Sequence, residues 1–179
     1  MKQKNISLKG AAGFEQYYSA LFGNRWISLK NSFLKENDSI EYKVYNAEKS
    51  YFLDSASVFA ALCLPIKNAT KILDLCAAPG GKTIVLASRM DSDAVLYSNE
   101  RSSDRKRRLD SVVNSCLPES ISSRVKTFCS DGATWCKRES EVYERILLDA
   151  PCSSERHVFL DSKYLNEWSL SRIKTVSME

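Results

Sequence analysis

The sequence predicts an α/β protein whose sheet is doubly wound and mostly parallel, with a small helical N-terminal extension. Three observations predict it. Apolar runs of strand length recur at residues 71–76, 94–97, 125–129 and 145–148, and helix-patterned segments alternate with them. A tight, glycine-bearing turn follows the first run. The acids and special residues then collect directly after the runs, at Asp74 to Gly81, Glu100, Asp131 and Asp149 to Cys152. Alternation of this kind means parallel strands joined by right-handed crossovers. In such sheets ligands bind at the carboxyl ends of the strands, where the strand order reverses.

Residues 12–22 place Phe14, Tyr17, Tyr18, Leu21 and Phe22 at helical spacing, and Gly23 follows as a stop signal. An aromatic stripe of this kind is a packing face far more often than a binding site. A second short helix is expected over 26–35 and a strand near 42–45. The polar stretch 36–53 around that strand carries no chemical signal. Asp54 can cap a helix bearing Val58, Phe59, Leu62 and Cys63, which Pro65 ends. The run 71–76 suits a central strand buried on both faces. The turn 77–81 leads into a helix over 82–89. Ser102 or Ser103 can cap a long helix with Leu109, Val112, Val113, Cys116 and Leu117 on one face. The strand at 145–148 is expected to be the more deeply buried one, and 164–178 to be polar and helical. Residues 1–53 therefore read as the extension and 54–179 as the main domain.

A chain of 179 residues, 44% hydrophobic and 27% charged, has the composition of a soluble globular protein and needs no disulfide staples. The net charge of +4 suits a polyanionic partner, and suits an ordinary solvated surface equally well. No apolar run is long enough to span a bilayer, so no membrane partner is expected. The N-terminus has neither a signal-peptide core nor an Arg-rich targeting pattern, so the cytoplasm is the expected compartment. The six cysteines include no C-x-x-C pair and His157 is the only histidine, so no metal site is expected. Most of these cysteines should be small buried apolar residues.

The turn Ala77-Ala78-Pro79-Gly80-Gly81-Lys82 follows a strand and opens a helix. Its small residues let a ligand approach the backbone, and the helix start offers free N–H groups. Gly81-Lys82-Thr83 matches the end of a phosphate-binding P-loop, but G-x-x-x-x-G-K-[ST] requires glycine where Cys76 stands. Pro79 also removes a donor from a loop that works through donors. Glu100, ending the second run, can accept both hydroxyls of a ribose; as an isolated glutamate it is equally a surface residue. Asp131-Gly132 reads as an acid beside an adenine amino group or as a plain turn. Arg105 opens a charge run, Arg105 to Arg108, which is usually a solvated face; one turn into its helix, it can reach back to a ligand. Cys152 follows Asp149-Ala150-Pro151 at the sheet's ligand edge, where a thiol is placed for chemistry rather than packing.

The strings Leu73-Asp74-Leu75-Cys76-Ala77-Ala78-Pro79-Gly80-Gly81-Lys82-Thr83 and Asp149-Ala150-Pro151-Cys152-Ser153 together resemble the RsmB/Nop/Sun family of RNA methyltransferases that form 5-methylcytosine. Phe14 to Tyr18, Phe22 to Trp26 and Cys152 to His157 are similar to the branch that includes the mitochondrial ribosomal RNA enzyme. The resemblance implies a Rossmann-like class I methyltransferase fold, S-adenosylmethionine as cofactor, and RNA, ribosomal or transfer, as partner. It implies that Cys76, Ala77, Ala78, Pro79, Gly80, Gly81 and Lys82 wrap the methionine and ribose. Glu100 then holds the ribose hydroxyls, where the family often has Asp, and Arg105 lies near the cofactor. Asp131 and Gly132 face the adenine, and Asp149 the methionine end. Polar residues around Arg156 would meet RNA.

In this family one cysteine attacks carbon 6 of cytosine and another helps release the product. The Pro-Cys residue, here Cys152, is the releasing one, and the attacking cysteine stands in a Thr-Cys motif after the next strand. This chain has no such dipeptide, since Val176 follows Thr175. The expectation is therefore an enzyme by descent that lacks its last strands and is crippled or silent in this form. The alternative is a non-catalytic RNA-binding or ribosome-assembly factor that keeps the cofactor fold.

Overall fold

The computed structural model describes residues 8–36, 38–137 and 139–176. In chain order, the N-terminal part holds α1 (Gly10–Phe22), a 3-10 turn (Gly23–Arg25) and α2 (Trp26–Phe33). The central part holds β1 (Ser39–Tyr42), β2 (Tyr51–Asp54), α3 (Ser55–Leu62), β3 (Lys71–Asp74), α4 (Gly81–Ala87), β4 (Val95–Glu100), α5 (Ser103–Cys116), α6 (Glu119–Ser122) and β5 (Val125–Cys129). A 3-10 helix (Gly132–Lys137), β6 (Arg145–Leu147), α7 (Glu155–Leu160), α8 (Ser162–Glu167) and α9 (Leu170–Val176) complete it. The chain forms two compact units, Asp38–Ala150 and the described residues of Met1–Asn37 with Pro151–Glu179.

The central unit is built on a four-stranded sheet in the order β5-β4-β3-β6, with every neighbouring pair parallel. Side chains alternate across a strand. Ile72, Leu96 and Val125 accordingly join Ile84, Leu86, Leu109 and Val113 of α4 and α5 in one buried cluster. On the opposite side of the alternation, Tyr97 and Phe128 stack at 6.0 Å and are joined by Trp135 and Tyr143. Ser102 caps α5, its hydroxyl accepting from the Arg105 N–H at 3.4 Å, and Asp54 caps α3, accepting from the Ser57 N–H at 2.8 Å.

Several expectations are corrected. The single strand near 42–45 is instead an antiparallel hairpin of β1 and β2. Leu53 is buried, and Tyr42 and Tyr51 pack against the same core as the sheet, which draws this hairpin into the central unit. The last strand is not the more deeply buried one. It pairs with β3 alone among the described residues, leaving Ile146 51% and Leu148 62% exposed. Of the cysteines, only Cys116 is buried and Cys76 is half-buried. Cys63, Cys129, Cys136 and Cys152 are exposed, because they stand at the ends of elements or in turns, not on inward faces.

In the other unit, the aromatic stripe of α1 is a packing face. Phe14 and Tyr18 are buried with Trp26, Val158 and Trp168, whereas Leu21 is exposed. The Glu15 carboxylate accepts from Trp26 Nε1 at 2.9 Å and pairs with Lys30 at 3.0 Å. Tyr18 donates its hydroxyl to Glu155 at 2.7 Å, and Arg156 Nε donates to the Phe33 carbonyl at 3.1 Å. The helical stretch expected over 164–178 is divided at Trp168 between α8 and α9; its last residues lie outside the described ones.

Candidate cofactor site

The carboxyl ends of β3, β4 and β5 bring most of the expected site residues to one edge of the central unit. At the end of β3, Asp74 is buried and accepts a hydrogen bond from Thr83 Oγ1 at 2.7 Å. Burial pushes its carboxyl up to about 6; the Thr83 bond and Lys82 oppose that rise, and Asp149 and Glu100 add to it. The turn then runs through Ala77 and Ala78, both buried, to Gly80 at φ 117°, which caps α4. A Cβ on Gly80 would stand 2.8 Å from Val112 Cγ1 of α5. Left-handed backbone and close helix approach thus both demand glycine there. At Gly81 a Cβ would lie 3.0 Å from the Tyr51 ring, so the hairpin too lies close against the turn.

Glu100, at the end of β4, is 4% exposed. Its Oε1 accepts from the Ser102 N–H at 2.9 Å, and its Oε2 lies 3.4 Å from Arg105 Nη1. Arg105 also donates through Nη2 to the Ala78 carbonyl at 2.6 Å. One guanidinium thereby clamps the strand-end acid to the glycine turn. At the end of β5, Asp131 is exposed and its Oδ1 accepts from the Ala133 N–H at 3.0 Å, opening the 3-10 helix. Gly132 lies over Leu75, where a Cβ would be 3.2 Å from Leu75 Cγ. Beyond β6, Asp149 pairs with Lys82 at 2.8 Å, and Lys82 also donates to Ser57 Oγ at 3.1 Å. Cys76 is half-buried; burial, followed by Glu100 and Asp74, pushes its thiol up, and Arg105 only partly offsets this. A shift in that direction favours the thiol over the thiolate.

Cys152 is exposed and belongs to the other unit, with its Sγ 3.9 Å from Ser154 Oγ. Within the charge run, Lys106 pairs with Asp110 and Arg107 with Asp104, as suits a solvated helix face. Arg105 is the member that reaches inward. Sequence reasoning missed Asn99, whose buried side chain joins the ends of three strands. The signal available was two adjacent polar residues, Ser98-Asn99, in a strand that must be largely buried. Among the described residues no three His, Cys, Asp or Glu side chains gather as a metal ion would need, and no helix is long and apolar enough to cross a membrane.

The pattern of the 16S rRNA methyltransferase RsmB/F family matches residues 61–162, which span the glycine turn, Glu100, Asp131 and the Asp149 to Cys152 string. The chain belongs to this family. It is 36% identical over 115 residues to the 5-cytosine rRNA methyltransferase NSUN4 of Xenopus laevis, covering 63% of this chain and 28% of that protein. The chain therefore spans under a third of that relative's length. Among solved structures it resembles PH0851, with a TM-score of 0.74 at 20% identity over 94% of this chain and 47% of that one. It also resembles a methyltransferase homologue from Pyrococcus horikoshii, with a TM-score of 0.58 at 22% identity over 80% of this chain and 61% of that one. The RsmB/F chain thus has the Rossmann-like class I methyltransferase fold, and the resemblance read from its two motif strings holds.

Proposed function

We propose that this chain binds S-adenosylmethionine at the carboxyl edge of its sheet and serves the formation of 5-methylcytosine in ribosomal or transfer RNA. The observation that carries this reading is the clamp of Glu100, Arg105 and the Ala78 carbonyl. A buried carboxylate has about four acceptor positions. Here one backbone N–H and a long contact to arginine leave capacity for the two hydroxyls of a ribose. The turn Cys76 to Lys82 lines the methionine and ribose portion, Asp131 with Gly132 the adenine, and Asp149 the methionine end. When bound, the cofactor supplies an electrophilic methyl group. Keeping Cys76 as a thiol matters there, because a thiolate at that position would compete for the methyl. Lys82, paired with Asp149, orients that carboxylate and balances its charge.

Cys152 follows this edge directly in the chain, and we assign it the release of methylated product. The attacking Thr-Cys cysteine of the family reaction is not among these 179 residues. The exposed free cysteines suit a reducing compartment such as the cytoplasm.

Calorimetric titration of the folded chain with S-adenosylhomocysteine tests the reading. One-site binding is expected, with no heat from ATP, because Pro79 and Cys76 spoil a triphosphate loop. ATP binding in place of the nucleoside would overturn it. Transfer of labelled methyl groups to ribosomal and transfer RNA then assigns the substrate.

A further inference from the structure

We infer that Asn99 is a positioning residue for the cofactor site: one buried carboxamide sets the spacing of the three strand ends that the ligand must bridge. The inference rests on the cofactor reading above and adds to it a residue outside the family's motif strings.

The geometry is specific. Asn99 is the penultimate residue of β4, directly before Glu100, and only 1% exposed. Its Nδ2 donates to the Leu75 carbonyl beyond β3 at 3.1 Å and to the Ser130 carbonyl beyond β5 at 2.9 Å. Its Oδ1 accepts from the Ser130 N–H at 3.1 Å and the Ser130 hydroxyl at 2.8 Å. Its backbone carbonyl accepts from the Ala77 N–H at 2.7 Å, within the glycine turn. Two donors and two acceptor positions are the full capacity of a carboxamide, and all are used. Leucine would fill the volume and satisfy none of these groups. Aspartate could accept from Ser130, but would set a carboxylate against two carbonyls.

The three ties run to the three places that meet the ligand. Ala77 and Leu75 flank Cys76 at the head of the turn, Glu100 is the next residue, and Ser130 immediately precedes Asp131. A ligand gripped by Glu100, the turn and the Asp131 corner at once is sensitive to sub-ångström changes in their spacing. Polar groups buried in this way are costly to leave unpaired, so the network holds one arrangement.

The test compares Asn99→Asp and the smaller Asn99→Ser with Arg124→Ala in the 179-residue chain. Arg124 Nη1 donates to the Asp91 and Ala94 carbonyls at 2.7 and 3.1 Å, at the opposite end of the sheet. It therefore serves as a control for destabilisation alone. Each variant is melted, titrated with S-adenosylhomocysteine, and followed by amide exchange at Ala77 and Ser130. Both Asn99 variants should lose tenfold or more in affinity and exchange faster at Ala77; Asn99→Ser should also exchange faster at Ser130, whose N–H aspartate can still hold. Arg124→Ala, at a comparable loss of melting temperature, should stay within twofold of the parent in affinity. Parent-like affinity and exchange in either folded Asn99 variant, or an equal affinity loss in Arg124→Ala, overturns the inference. Failure of the parent to bind defeats the cofactor reading instead, and the amide exchange still decides whether Asn99 holds the strand ends.

Discussion

Glu100 is the residue on which most of the site's electrostatics turn. Its carboxylate is buried, and its two oxygens face different donors, a backbone N–H and a guanidinium. Glu100→Gln keeps the shape and removes the charge. Loss of charge-assisted bonds to a ribose should weaken S-adenosylhomocysteine binding by about 1.5–3 kcal/mol, tenfold or more. Unchanged affinity by calorimetry would show that the ribose lies elsewhere. Asp74 offers a separate test through pH. Its carboxyl sits near 6 in the fold, against an ordinary value of 3.8, chiefly because it is buried. The folded chain therefore holds this proton at pH values where the unfolded chain has released it. The resulting stabilisation is complete below about pH 4 and is lost as pH rises through 6. Relative to Asp74→Asn, unfolding free energy should fall by on the order of 2–3 kcal/mol between pH 4 and 7. Parallel pH profiles for the two proteins, measured by urea unfolding, would rule this out. The residue types at the site were legible in the sequence, since Asp74, Glu100 and Asp131 all follow apolar runs. The burial of the last two was not: Glu100 is 4% exposed whereas Asp131 is exposed, and only the packed neighbours distinguish them.

At the scale of elements, the glycine turn between β3 and α4 is held from two sides, by α5 at Gly80 and by the β1–β2 hairpin at Gly81. Gly80→Ala must place a Cβ both in left-handed backbone and 2.8 Å from Val112. It should cost about 1–3 kcal/mol in urea unfolding. Adding Val112→Ala makes room but leaves the backbone strained, so recovery from the steric part should be partial. Full recovery would mean that the positive φ carries no cost. α5 was readable in the sequence because its apolar face repeats at helical spacing, with Leu109, Val113 and Cys116 buried. The hairpin was not, because β1 has no buried residue and β2 has one. Their alternation is faint, and their place is set by Tyr42, Tyr51 and Leu53 meeting a core assembled from later residues.

For the molecule as a whole, the sheet ends at β6 with its outer edge unpaired among the described residues and with Ile146 and Leu148 exposed. An unpaired apolar edge is a template for association. Ile146→Lys should reduce concentration-dependent association of this chain, seen by light scattering, without altering S-adenosylhomocysteine affinity. An unchanged association rate would place the sticky surface elsewhere. Periodicity, turn chemistry and motif spacing are properties of neighbouring residues. The sequence by itself therefore determined the α/β plan, the strand-to-helix turn at Ala77 to Lys82 and the family to which the chain belongs. Only the tertiary structure decided which acid is buried, that Arg105 reaches back 27 residues to Ala78, and that Asn99 grips a carbonyl 31 residues ahead. Burial and long-range hydrogen bonds depend on segments far apart along the chain, and only folding brings those segments together.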